Sequence, residues 1–302
     1  MTSLLVSPNQ FSTHSTQATV KDFITLLKPG VMALVVFSGW VGMFLAPNHL
    51  HPFLQNAVLI AIALASGGAG ALNMWYDRDI DLLMRRTQDR PIPAGLISPQ
   101  DAFIFGILLI VFSVLIMGFA TNYMAAFWLA FSAFFYVVIY TIGLKRATVH
   151  NIVIGGAAGA LPPLIGWVAV TGEISLEAFL LFLLIFLWTP PHFWALALTK
   201  AEEYKRANIP MLPTIAGPQA TKKQILIYSF LLIIASYSFP YLFNYGWLYG
   251  TIVTILNLVW LFFALKLYFN NHNSEAMRLF GFSILYLFLL LGALVVDYGV
   301  YR

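Results

Sequence analysis

The sequence predicts an all-α, polytopic membrane protein, a bundle of about nine transmembrane helices, and three observations carry that prediction. Charged residues make up 9% of the 302 and hydrophobic residues 60%, whereas about 25% of a soluble domain is charged. Apolar runs long enough to cross a bilayer, about 20 residues each, recur from end to end. The runs are continuous, whereas strands of a transmembrane barrel alternate in segments of about 10 residues.

The spans fall near 31–45 (beginning before Lys28), 54–74, 102–120, 124–144, 152–170, 176–198, 225–243, 248–268 and 279–296. Residues 1–24 form a Ser/Thr-rich tail with Lys21 as its first basic residue, unlike a signal or transit peptide. This predicts a short cytoplasmic tail ahead of one transmembrane domain over 25–302, in a bacterial inner membrane. With the N-terminus inside, every Lys and Arg except Arg302 falls in the tail or on the cytoplasmic side. That asymmetry sets the orientation and puts the C-terminus outside. The basic residues are spread over several loops, so the net charge of +4 points to lipid and not to nucleic acid. The chain contains no cysteine, which excludes disulfides, thiolate metal sites and cysteine nucleophiles.

Two loops on the cytoplasmic side, 76–100 and 199–224, are long and chemically dense, which places function there. Ahead of the first stand Asn73, Asp77 and Asp81, at i, i+4 and i+8, on one helical face. Three oxygen donors without Cys or His suit a hard cation such as Mg²⁺, which is completed by substrate phosphates. The bland alternative is a solvated helix end paired with Arg78, Arg85 and Arg86. It explains poorly why Asn73 and Asp77 sit at membrane depth, where an ionisable group is costly.

Lys145 and Arg146 follow the fourth span, where they either clamp a diphosphate or anchor topology. The third segment runs from Trp188 to Pro213. Its Pro190-Pro191 pair predicts a break inside the membrane that bares backbone groups to a cavity. Glu202 and Glu203 in this segment offer a second set of metal ligands, and Lys200, Lys205 and Arg206 offer contacts to phosphate. The Gly-rich stretch 151–167, with Pro162-Pro163, reads chiefly as close helix packing.

Asn73-x-x-x-Asp77-x-x-x-Asp81 resembles the first aspartate-rich motif of the UbiA superfamily of intramembrane prenyltransferases. Lys145-Arg146-x-Thr148, the stretch 151–167, Pro191-His192 and the run from Ala207 to Pro213 resemble its heme O synthase branch. The resemblance runs from Lys28 to Gly217 by motif and onward by the order of spans. It implies a helical bundle around a central cavity capped by the two loops. Mg²⁺ would hold the phosphates of farnesyl diphosphate, and the farnesyl group would be added to a vinyl of heme B. The product, heme O, would serve a terminal oxidase, so heme A synthase or that oxidase is an expected partner. The resemblance assigns catalysis to Asp77, Asp81, Lys145, Arg146 and His192. It assigns metal binding to Asn73, Asp77, Asp81 and Glu203. Substrate contacts fall to Asn73, Arg78, Arg90, Thr148, Asn151, Glu203, Tyr204, Arg206 and Asn208. Glu203 stands where the branch carries a single acid before Tyr, without the second Asp-x-x-x-Asp of other members. His192 has three readings: a ligand to heme iron, a group orienting water, or a buried histidine bonded to a freed carbonyl.

Three other functions compete. A prenyltransferase for a quinone or chlorophyll precursor would differ only in acceptor. A secondary transporter would place its acids near the bilayer midplane, whereas these lie at the rim. A non-catalytic heme-handling protein would show pairs of intramembrane histidines.

Overall fold

The computed structural model describes residues 18–270 and 273–301, and all the regular structure among them is helical. A short α1 (Val20–Leu26) precedes α2 (Pro29–Phe44), and the two meet at a bend of 57°. Eight further helices are long and apolar enough to cross a membrane, or nine spans if the bent pair is one. These are α3 (Pro52–Asp81), α4 (Pro99–Ala120), α5 (Tyr123–Phe134) with its continuation Phe135–Leu144, α6 (Asn151–Thr171), α7 (Leu176–Thr199), α10 (Pro218–Phe243), α11 (Trp247–Phe269) and α12 (Asn273–Tyr301). Two short helices, α8 (Ala201–Arg206) and α9 (Leu212–Ile215), lie in the connection between α7 and α10.

Three local features depart from the sequence expectations. The first span does not run straight through Lys28. Lys28 is left-handed, with φ 55°, and Pro29 opens α2; a residue before proline is driven out of the right-handed helix. The expected boundary between residues 24 and 25 therefore falls inside α1, and residues 1–17 of the tail lie outside the described residues. The Pro190-Pro191 pair does not break its span, because α7 runs unbroken from Leu176 to Thr199. Proline fits helical φ, and neighbouring groups in a bundle can satisfy the carbonyls it frees. Finally, the last ten residues of the fourth span, Phe135–Leu144, wind as a π-helix.

The interior is organised on α6, 78% of whose apolar window is buried, against 22% for the peripheral α4. Alpha-helix α2 lies against α6 so closely that a Cβ on Gly42 would strike the Pro163 carbonyl, and one on Gly166 the Gly39 carbonyl. Without a hydrophobic drive between helices in lipid, close backbone approach of this kind supplies the packing energy. The largest core joins α2, α6, α7, α10, α11 and α12 around Trp167, Trp188, Trp260 and Tyr286. Helices α10 to α12 are also pinned by a buried relay. Tyr286 donates to Asn257 Oδ1 (2.8 Å), and Asn257 to Ser236 Oγ (2.9 Å). Large apolar side chains such as Phe112, Leu115, Phe230 and Leu258 cover the outward faces, as lipid contact requires.

Candidate active site

The last turns of α3 carry Asn73, Asp77 and Asp81, and the helix buries all three, as their spacing requires. Their partners arrive from four other places in the chain. The bend at Lys28 lets its Nζ donate to Asn73 Oδ1 at 2.6 Å. Asn73 Nδ2 donates to Asp77 Oδ2 (2.8 Å) and to Thr141 Oγ1 (3.1 Å). The π-helical segment closes with the Lys145 amide donating to the Tyr140 carbonyl, five residues back. The Lys145 side chain then reaches the Asp77 carboxylate. Arg146 forks onto both oxygens of Asp79 at 2.7 Å, lies 4.8 Å over the Tyr76 ring, and comes within 3.6 Å of Asp77 Oδ1. The paired bonds from Asp79 hold the Arg146 guanidinium even further above its usual range. Arg90 reaches back from the first loop to both oxygens of Asp81, at 2.9 and 2.8 Å.

Lys28, Arg90, Lys145 and Arg146 thus surround three carboxylates, those of Asp77, Asp79 and Asp81. Asp77 Oδ1 is buried without a hydrogen-bond donor. A carboxylate oxygen with unused lone pairs and a second carboxylate one turn away suits Mg²⁺, which takes one or two carboxylates and completes its shell with water and phosphate. Among the described residues no three of His, Asp or Glu converge to hold an ion. Glu203 stands apart from the two aspartates, in the second loop.

Glu203 belongs to the second loop. Lys200 caps α7 and pairs with Glu203 Oε1 at 3.0 Å, while Oε2 is buried without a partner. The loop turns at Asn208, left-handed with φ 52°, a conformation asparagine tolerates. Tyr204 is buried with Ile80, Met84, Ile152 and Met211, so it fastens this loop to the end of α3. Burial pushes its phenol pKa up, against the opposing pull of Arg86 and Arg90. Asn151 donates to the carbonyls of Thr148 (2.7 Å) and Pro210 (3.2 Å), and its Oδ1 is buried without a partner. Thr148 Oγ accepts from the His150 amide at 3.2 Å, as a cap for the turn. A cleft of about 380 Å³ opens beside this loop, with Arg85, Lys200, Glu202, Glu203 and Arg206 among its walls.

Two expected residues lie outside this arrangement. Arg78 is turned back on its own helix, donating to the Trp75 carbonyl at 2.7 Å with its guanidinium over the Trp75 ring. His192 lies on α7, its Nδ1 2.5 Å from Ser283 Oγ on α12, and its ring is stacked between Trp188 and Phe280. Its bond is to a hydroxyl and not to a freed carbonyl. Sequence reasoning missed Lys28, Asp79 and Thr141. Lys28 had one signal, a lone cation before proline at the mouth of an apolar span. Asp79 had another, its place two residues from Asp77. Thr141 had none, because its position depends on the π-helix.

Residues 35–292 match the model of the UbiA prenyltransferase family. A Rickettsia bellii protein named protoheme IX farnesyltransferase is 50% identical over 299 residues, 99% of each chain. The fold also matches that of a digeranylgeranylglyceryl phosphate synthase, with a TM-score of 0.77 at 19% identity over 92% of this chain and 98% of that one. A UbiA homologue from Archaeoglobus fulgidus bound to DMAPP and Mg²⁺ matches with a TM-score of 0.66 at 16% identity, over 91% and 99%. Sequence likeness across nearly the whole length and a shared fold give one answer: this chain is a prenyltransferase and belongs to the UbiA prenyltransferase family.

Proposed function

We propose that the protein transfers a farnesyl group from farnesyl diphosphate to a vinyl group of heme B, giving heme O. The observation that carries this reading is the buried Asn73–Asp77–Asp81 face, closed by Lys28, Arg90, Lys145 and Arg146. It is a site for a multiply charged diphosphate at the end of a membrane-spanning helix. Relatives 50% identical and named protoheme IX farnesyltransferase support the acceptor.

Asp77 and Asp81, with Asn73 beside them, would hold Mg²⁺. When bound, the ion supplies positive charge against the diphosphate oxygens. Lys145 and Arg146 face the same oxygens and stabilise the charge that develops as the allylic carbon–oxygen bond breaks. Tyr136 and Tyr140 lie on the π-helical segment beside Thr141, their ring centroids 5.6 Å apart. They offer aromatic faces to the allylic cation. The vinyl then gives its electrons to the farnesyl carbon. Water adds to the resulting benzylic-type cation and loses a proton, which leaves the hydroxyl of the product.

In the cell this chemistry would face the cytoplasm from a bacterial inner membrane, since the basic residues cluster on the side of the two loops. Heme A synthase or a terminal oxidase would receive the product. The test is mass spectrometry of hemes extracted from cells with and without the protein. Heme O should appear only with it, and its equal presence without the protein rejects the reading.

A further inference from the structure

Beside the second loop, the cleft of about 380 Å³ holds two guanidiniums that the ion-pair web does not use. Arg90 and Arg146 are each committed to a carboxylate. Arg85 and Arg206 line the cleft, and among the described residues neither has a carboxylate within ion-pair distance. Lys200, the third cation there, is paired with Glu203, and Arg85, Glu202 and Arg206 all face solvent. Leu198 forms part of the floor, where α7 leaves the membrane-spanning region.

The cleft lies next to the apolar cluster at the end of α3. Arg85 follows Met84, and Tyr204 follows Glu203. Met84 and Tyr204 pack in one apolar cluster with Ile80, the neighbour of Asp81. A ligand seated on Arg85 and Arg206 would therefore lie beside the cluster that fastens this loop to the end of α3.

We infer that Arg85 and Arg206 bind the two propionate carboxylates of the acceptor porphyrin, and so fix which edge of the macrocycle meets the farnesyl donor. The inference rests on the proposed acceptor. A carboxylate is costly inside the bilayer, so an amphipathic macrocycle entering from the membrane keeps its acidic edge at the aqueous rim. The vinyl edge, opposite the propionates, then dips inward toward the allylic carbon. Guanidinium is the side chain best matched to a carboxylate, through two parallel hydrogen bonds. Without this clamp the macrocycle could turn in its plane and present an unreactive edge.

The experiment uses the full-length protein in lipid nanodiscs, with Arg85→Gln, Arg206→Gln and the double variant. Each substitution should raise the KM for heme B by about tenfold, the usual worth of one hydrogen bond to a charged group. The KM for farnesyl diphosphate should stay within about twofold, because diphosphate is held elsewhere. Heme B dimethyl ester, which lacks the carboxylates, should show the raised KM with the wild-type protein and no further loss with the double variant. Arg206→Lys should recover part of the affinity, which separates lost charge from a misfolded loop. An unchanged heme KM in a folded double variant overturns the inference, as does a rise confined to the KM for farnesyl diphosphate. Wild-type protein that prenylates no heme at all overturns the acceptor assignment itself, and the inference with it.

Discussion

Lys145 donates a hydrogen bond to Asp77, although 68 residues of chain separate them, and it can do so because the helix before Lys145 is wound as a π-helix. A π-turn adds a residue to each turn, so it rotates everything after it relative to an α-helix. The same winding lets Thr141 donate to the Tyr136 carbonyl at 2.8 Å while accepting from Asn73. One local irregularity thus delivers both a cation and a hydroxyl to the face of α3.

Removing that cation should weaken the grip on the diphosphate. Lys145→Ala is expected to raise the KM for farnesyl diphosphate by about tenfold or more, the worth of a charge-assisted hydrogen bond. Heme affinity should be unaffected. Steady-state kinetics with each substrate varied in turn checks the division, and a loss confined to heme binding would reverse it.

The acids themselves should matter more. Asp77→Ala and Asp81→Ala are each expected to reduce prenyl transfer by about a hundredfold or more, as removal of a preorganised electrostatic group does. The protein should still insert and accumulate. Wild-type turnover should stop with a chelator and return with Mg²⁺ or Mn²⁺. Heme extraction followed by mass spectrometry reads both results, and near-normal product from Asp77→Ala rejects the assignment.

The π-helical segment also depends on Gly155 of α6, because a Cβ there would overlap the Tyr140 ring. Gly155→Ala should therefore displace Tyr140, lower the thermal midpoint, and reduce turnover by about tenfold through misplacement of the site. Adding Tyr140→Ala should restore the midpoint but not the turnover. A single variant with unchanged midpoint and rate shows that α6 can retreat freely.

For His192 the geometry favours a packing role, with the ring held by Trp188, Phe280 and Ser283. His192→Ala should lower the thermal midpoint and leave the Soret band of bound heme B in place. Ser283→Ala should lower the midpoint as well, since it removes the same bond. A Soret shift in His192→Ala, with the midpoint unchanged, identifies the imidazole as an iron ligand instead.

Much of this architecture was legible in the residues. The run from Asn73 to Asp81 shows its one-sided spacing directly, because helical periodicity depends only on the backbone. The spans show in continuous apolar runs, because lipid accepts little else. What could not be read depended on contacts distant in sequence. Nothing local marks 135–144 as π-helical. The bend at Lys28 was half legible, since Pro29 announces a helix start but not an angle. Pro190-Pro191 misled for the converse reason, since a proline pair threatens a lone helix more than one supported on every side. Arg78 and Arg90 look alike in sequence, and only the fold of the first loop sends one to Asp81 and the other to Trp75.

The long separation between Asp77 and Lys145 bears on how the molecule is made. Translation at about 5–20 residues per second takes roughly 3–14 s to travel from one to the other. Throughout that interval α3 has been synthesised while its carboxylate lacks the amine that will neutralise it. Pulling an unpaired carboxylate to mid-bilayer costs about 3 kcal/mol on the insertion scale. The end of α3 must therefore wait at the water interface, or in the shelter of the insertion machinery, until the fifth helix and its π-helical tail arrive. A ribosome stalled before Lys145 would leave a nascent chain whose α3 ends in a carboxylate without its amine.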